Sequence, residues 1–124
     1  MGRERKMTGA AGEKIASLFL KKMGYRILES NFRTPFGEID IVAKHKGIIA
    51  FVEVKSRITS SFGPPYLSIT KPKERSIVKN SLFYLKRLNI LNADWRIDIV
   101  SVKLDHNCEL ESIELIENAV EDWR

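Results

Sequence analysis

Asp40, Glu53 and Lys55 are the residues of this chain whose types and spacing could do chemistry together. Asp40 lies in the run EIDIVAKH, and Glu53 and Lys55 lie in IIAFVEVKS. Both runs are rich in β-branched residues, as strands are. Lys46-Gly47 between them reads as a tight turn, which pairs His45 with Ile48 and puts Asp40 directly opposite Glu53, Cβ atoms ~5 Å apart. Side-chain alternation then turns Asp40, Glu53 and Lys55 to one face, with Glu38 facing Lys55 and with Ala50, Val52 and Val54 on the other face. Two carboxylates crowded beside apolar strand residues repel each other and lose water, an uncompensated cost of roughly several kcal/mol. Lys55 offsets one charge; a divalent cation satisfies both. An all-carboxylate ligand set favours a hard ion, Mg2+ or Mn2+, over zinc. A lysine two residues after the glutamate can orient or help deprotonate the attacking water, or stabilise charge gathering on phosphorus. Alone, E-x-K reads as a solvated salt bridge and Asp40 as a gatekeeper on an edge strand. Together they suit phosphodiester hydrolysis.

The surrounding elements must position these groups. Ala11, Ile15, Leu18, Phe19 and Met23 recur at helical spacing, so a helix is expected from Thr8, its N-cap, to Met23, with Gly24 as its stop. Glu13 sits at the edge of the apolar arc, in line with Ala16 and Leu20, and reaches the carboxylate pair if this helix packs on the Asp40 face. Residues 1–7 are polar and expected to be disordered. Residues 25–33 read as a strand broken by Pro35 and Gly37. Residues 57–67, rich in Ser, Gly and Pro, read as a loop. A second helix runs from Thr70 to about Leu88, with Pro72 in its first turn. Residues 94–104 and 109–116 read as two more strands. The order is α-β-β-β-α-β-β: a three-strand meander, a helical crossover to a parallel strand, and a mixed sheet of about five strands flanked by helices. One domain spans 1–124, with its core over about 9–116.

Composition limits the function. A 44% hydrophobic chain of 124 residues supports one core. It has no apolar run of the ~20 residues that span a bilayer and no apolar stretch of a signal peptide. The single cysteine, Cys108, excludes an internal disulfide and fits a cytoplasmic protein. Charge is uneven: a net +5 over residues 1–35, +5 again over 67–90, and −6 over 91–124. That asymmetry suits a polyanion on one side. Lys71, Lys73, Arg75 and Lys79 on the second helix are the candidate contacts to a DNA backbone, giving affinity without sequence reading. The polar loop of Ser56, Arg57, Thr59, Ser60 and Ser61 is a further candidate phosphate contact. His45 and His106 read as surface residues, and Trp95 and Trp123 as packing residues.

The stretches GEKIASLFLKKMGYRILESNFRTPFGEIDIVAK, FVEVKSR and ITKPKERSIVKNSLFYL, over about 9–104, resemble the YraN family of bacterial proteins and, more broadly, the PD-(D/E)XK nucleases, in particular the Holliday-junction-resolvase-like branch. The resemblance implies a restriction-endonuclease-like α/β fold and an Mg2+- or Mn2+-dependent endonuclease. It makes Asp40 and Glu53 metal ligands, the Val54 carbonyl a third oxygen, Glu13 a ligand directly or through water, Lys55 the catalytic lysine, and Arg33 a phosphate contact. Ile39 stands where the superfamily pattern has proline. The expected substrate is DNA, in preference to RNA, branched or damaged. A resolvase-like enzyme would act as a homodimer, because a junction needs two symmetric cuts. A non-catalytic nucleic-acid-binding module and a protein-interaction module are the alternatives.

Overall fold

In a computed structural model, the backbone is described for residues 2–58 and 65–120, and the side chains for all of these except 2–8, 67 and 68. Thr59, Ser60, Ser61 and Trp123 lie outside the described residues. The elements are α1 (Gly2–Lys22), β1 (Arg26–Thr34), β2 (Gly37–His45), β3 (Ile48–Ile58), a 3-10 turn (Pro65–Ser68), α2 (Lys71–Arg87), β4 (Trp95–Leu104) and β5 (Leu110–Ile116). The five strands form one sheet in the order β1-β2-β3-β4-β5. β3 and β4 are parallel, joined through α2; the other neighbours are antiparallel. This is the expected mixed α/β architecture, consistent with a restriction-endonuclease-like fold. No helix among the described residues is long and apolar enough to cross a membrane.

Two boundaries differ from the sequence pattern. α1 begins at Gly2, so Thr8 lies inside it rather than at its N-cap, and the segment 2–7 is helical where disorder is expected. Arg, Glu, Lys and Met dominate that segment, and all are strong helix formers. β3 runs on to Ile58, two residues into the expected loop, because it stays paired with β4 as far as Ile58↔Leu104.

The ends of the helices follow from local chemistry. Gly24, at φ +91°, closes α1. Its N–H donates to the Lys21 carbonyl at 3.1 Å and the next N–H, of Tyr25, to Leu20 at 2.9 Å, the paired bonds of a Schellman cap. Thr70 caps α2, its Oγ1 accepting the Lys73 N–H at 3.3 Å, a contact worth ~1 kcal/mol.

The helices cover opposite faces. α1 buries Ala16 and Leu20 against Ile41, Ala43, Ala50, Val52, Val100 and Val102. α2 buries Ile77, Val78, Tyr84 and Leu85 against Val42, Ile49, Phe51 and Ile97. Each fully buried Leu or Phe contributes ~1.5–3 kcal/mol. α1 meets β3 closely at one point: a Cβ on Gly12 would stand 2.5 Å from the Ser56 Cβ. Gly12→Ala gains helix propensity of up to ~1 kcal/mol but overpacks this contact by ~1–3 kcal/mol. The expected net result is a loss of stability in urea that Ser56→Gly restores.

Buried polar groups gather around β4. Asp98 is fully buried. It accepts bonds from the Tyr25 hydroxyl at 2.8 Å, Arg96 Nε at 2.9 Å and the Asn118 N–H at 2.9 Å. Arg96 also meets His45 Nδ1 at 2.8 Å. His45 stacks flat on Tyr25, centroids 4.1 Å apart. His45 is therefore a buried residue, contrary to its surface reading, whereas His106 is exposed. Trp95 packs edge-on against Phe51 at 5.8 Å. The rims of the sheet are irregular: β1 shifts register between Ile27 and Glu29 and holds Asn31 at φ +52°, and β5 meets a shift between Lys103 and Leu104.

Candidate metal centre

The β2–β3 hairpin has the register read from its turn. Lys46 and Gly47 both have positive φ, +52° and +79°, as a type I′ hairpin turn requires. The ladder runs from His45↔Ile48 to Ile41↔Val52. It stops one pair short of Asp40 and Glu53. There the Asp40 Oδ2 accepts the Val54 N–H at 2.8 Å, so a side chain replaces a strand carbonyl as the acceptor.

This substitution breaks the alternation that places Asp40 on the Glu53 side. Ile39 and Val42 pack with α2 while Ile41 packs with α1. Asp40 and Ile41 both line a cleft of about 380 Å³ between α1 and β1. Glu13, Lys14, Lys21 and Asn31 line the same cleft. Glu13 thus meets Asp40 as expected, but through the break in the strand rather than across a regular face.

Among the described residues, Glu13, Glu38 and Asp40 bring one carboxylate oxygen each to within 4.8 Å of one another. Glu38 is the residue that the sequence reading left out of the ligand set. The signal in the sequence is its place two residues before Asp40. Asn31 joins them. With its amide nitrogen toward the acids, it donates to Glu38 Oε1 at 2.7 Å and Glu13 Oε2 at 3.1 Å. Glu53 lies on the other side of Asp40. It is buried, and its Oε1 is 3.3 Å from Lys73 Nζ of α2.

The electrostatics follow from crowding. Burial pushes Glu53 up to about 7, and the Asp40 charge adds to the rise; Lys73 and Lys55 pull the other way and do not cancel it. Burial also raises Asp40, against the opposing Val54 N–H bond. Glu13 is raised by burial and then by Asp40 and Glu38. Lys55 is half-buried and acts on both Asp40 and Glu53.

The donor set fits a hard divalent cation. Oxygens sharing one Mg2+ at about 2.1 Å stand about 3–4 Å apart, comparable with the spacing of this cluster, within 4.8 Å. Glu13, Glu38 and Asp40 would hold such an ion; Glu53, paired with Lys73, stands outside this cluster.

The basic residues are dispersed. Arg33 is exposed at the end of β1, and Arg57 is half-buried in β3 opposite Lys103. On α2, Lys71 pairs with Glu74 at 3.4 Å, Lys73 with Glu53, and Lys79 Nζ lies 5.9 Å from the Phe36 ring centroid. Arg75 is exposed.

Comparison with known proteins gives the chain its relatives. Residues 12–102 match the model of the "Uncharacterised protein family UPF0102". The chain is similar to UPF0102 proteins of Desulfosudis oleivorans, 51% identical over 116 residues (94% of this chain, 91% of the other), and of Syntrophus aciditrophicus, 49% identical over 117 residues (92% and 88%). A UPF0102 protein of Clostridium acetobutylicum is 40% identical over 119 residues, covering 96% of this chain and 98% of its own. The matched span contains Glu13, Asp40, Glu53 and Lys55, and by this similarity the chain belongs to the UPF0102, or YraN, family.

Proposed function

We propose that the protein is a divalent-cation-dependent endonuclease that hydrolyses phosphodiester bonds in DNA. The observation that carries this reading is the crowding of Glu13, Glu38 and Asp40 where β2 and β3 part, with buried Glu53 beyond them. A magnesium or manganese ion there would lower the pKa of water and neutralise charge on the phosphate. The chain's own groups would do the rest. Asp40 is fixed by the Val54 N–H, Asn31 orients Glu13 and Glu38, and Lys55 supplies positive charge beside both Asp40 and Glu53. Lys14 and Lys21 line the cleft that a polyanion would enter.

The test is cleavage of DNA and RNA substrates, duplex, single-stranded and branched, in Mg2+ or Mn2+. Wild type should cut and Glu53→Gln should not. Equal rates would sink the reading. The Lys73–Glu53 ion pair favours one alternative, a binding module in which the lysine stands permanently where a cation would act. Salt-dependent binding with no cleavage at any metal concentration identifies that case.

Glu53 gives a second test, independent of substrate. Its folded value of about 7 lies above its ordinary value of 4.5, so between these the folded chain holds a proton that the unfolded chain has released. The metal-free protein is spared this cost below about pH 4.5 and bears it in full above about pH 7, to the extent of ~3 kcal/mol. In EDTA, Glu53→Gln should therefore match wild type near pH 5 and exceed its stability at pH 8, as measured by urea unfolding. A gap that narrows with rising pH would contradict the assignment.

A further inference from the structure

The β1–β2 turn projects past the carboxylates at the same end of the sheet. Pro35 and Phe36 are its central residues, between the paired Thr34 and Gly37. The turn is held to α2. The Thr34 hydroxyl donates to Asn80 Oδ1, and Asn80 is 2% exposed. Thr34 Oγ1 accepts the Phe36 N–H at 3.0 Å. Gly37, at φ +144°, leaves room for the Asn80 amide, which a Cβ would meet at 3.4 Å.

On this fixed turn Phe36 is 54% exposed. It meets Phe83 edge-on at 6.3 Å and has Lys79 Nζ 5.9 Å from its centroid. A large apolar ring kept half in water, with a cation over one face, has the parts of a stacking platform: a ring surface for a base and a charge, able to swing aside, for the adjoining phosphate. Its position also suits the carboxylates. Asp40 lies four steps along β2 from Phe36, with three residues between, ~13 Å of strand. Paired bases inside a duplex have no free face for the ring, so the platform selects bases already out of the stack.

We propose that Phe36 is a base-stacking residue that directs the protein to nucleic acid with unpaired bases, at single-strand ends, gaps or branch points, a few nucleotides from the phosphate held at the carboxylates. The choice of ligand rests on the nuclease reading, but binding can be measured without cleavage.

The experiment is fluorescence anisotropy in EDTA at low salt. It uses a single-stranded oligonucleotide, a gapped duplex and a blunt duplex of equal length, with wild type, Phe36→Ala and Phe36→Trp. Phe36→Ala should weaken binding to the single strand and the gapped duplex by about tenfold or more and leave the blunt duplex unchanged. Phe36→Trp should keep wild-type affinity, which also shows that the turn folds when substituted. The proposal is overturned if Phe36→Ala binds all three like wild type, as it would if the ring docked a protein. It is equally overturned by uniform loss across the three, or by a wild type that binds none. If wild type shows the Phe36-dependent preference but cuts nothing in Mg2+ or Mn2+, stacking stands and hydrolysis fails. If wild type cuts and Phe36→Ala keeps the same preference, the reverse holds.

Discussion

Asp40→Asn should leave the protein folded while removing its response to divalent cations. Asparagine keeps an oxygen to accept the Val54 N–H, so the junction of β2 and β3 retains its tie. What disappears is the charge shared among Glu13, Glu38 and Glu53. In EDTA the variant should therefore be at least as stable as wild type, because one member of a repelling group has become neutral. Added Mn2+ should raise the melting temperature of wild type, since a ligand that binds only the folded state stabilises it. It should do little for Asp40→Asn. On the proposed reading, cleavage should fall on the order of a hundredfold to a thousandfold or more, the scale lost when preorganised electrostatics are removed from a reacting centre. Calorimetry with Mn2+ decides the first point without a substrate: equal heats for the two proteins would remove Asp40 from the centre.

Asp98→Ala should cause the largest loss of stability, at a second buried polar group centred on β4. Asp98 is fully buried and joins Tyr25, Arg96 and the Asn118 N–H. Deleting it strands the Arg96 guanidinium, whose side chain is only 13% exposed. Breaking such a pair from one side costs ~3–5 kcal/mol, a large part of the ~5–15 kcal/mol that holds a domain together. Tyr25→Phe should cost only about 1 kcal/mol, because Arg96 and Asn118 still serve Asp98. Urea unfolding of the two variants tests the ranking. Similar small losses would show that the network is relaxed by water.

Much of this arrangement is legible in the sequence. Lys46-Gly47 specifies its turn by residue type, and from the turn the β2–β3 register follows without further information. Thr70 and Pro72 mark the start of α2, and Gly24 the end of α1. Other features have no local signature. The break at Asp40 depends on its carboxylate taking an N–H from a strand fourteen residues away, and strict alternation predicts the opposite side. Glu38 enters the cluster because the break exchanges the faces of the start of β2, with Ile39 toward α2 and Glu38 beside Glu13. His45 looks like a solvated turn residue until Arg96 and Tyr25, distant in sequence, enclose it. Local patterns encode turns and caps; side-chain contacts across the sheet decide these exceptions.

One margin of the sheet, β1, is irregular, with a shifted register between Ile27 and Glu29 and a left-handed Asn31. A distorted margin offers a poor template for an incoming strand. Two copies of the chain are therefore ill-suited to merge through β1 into one continuous ten-stranded layer.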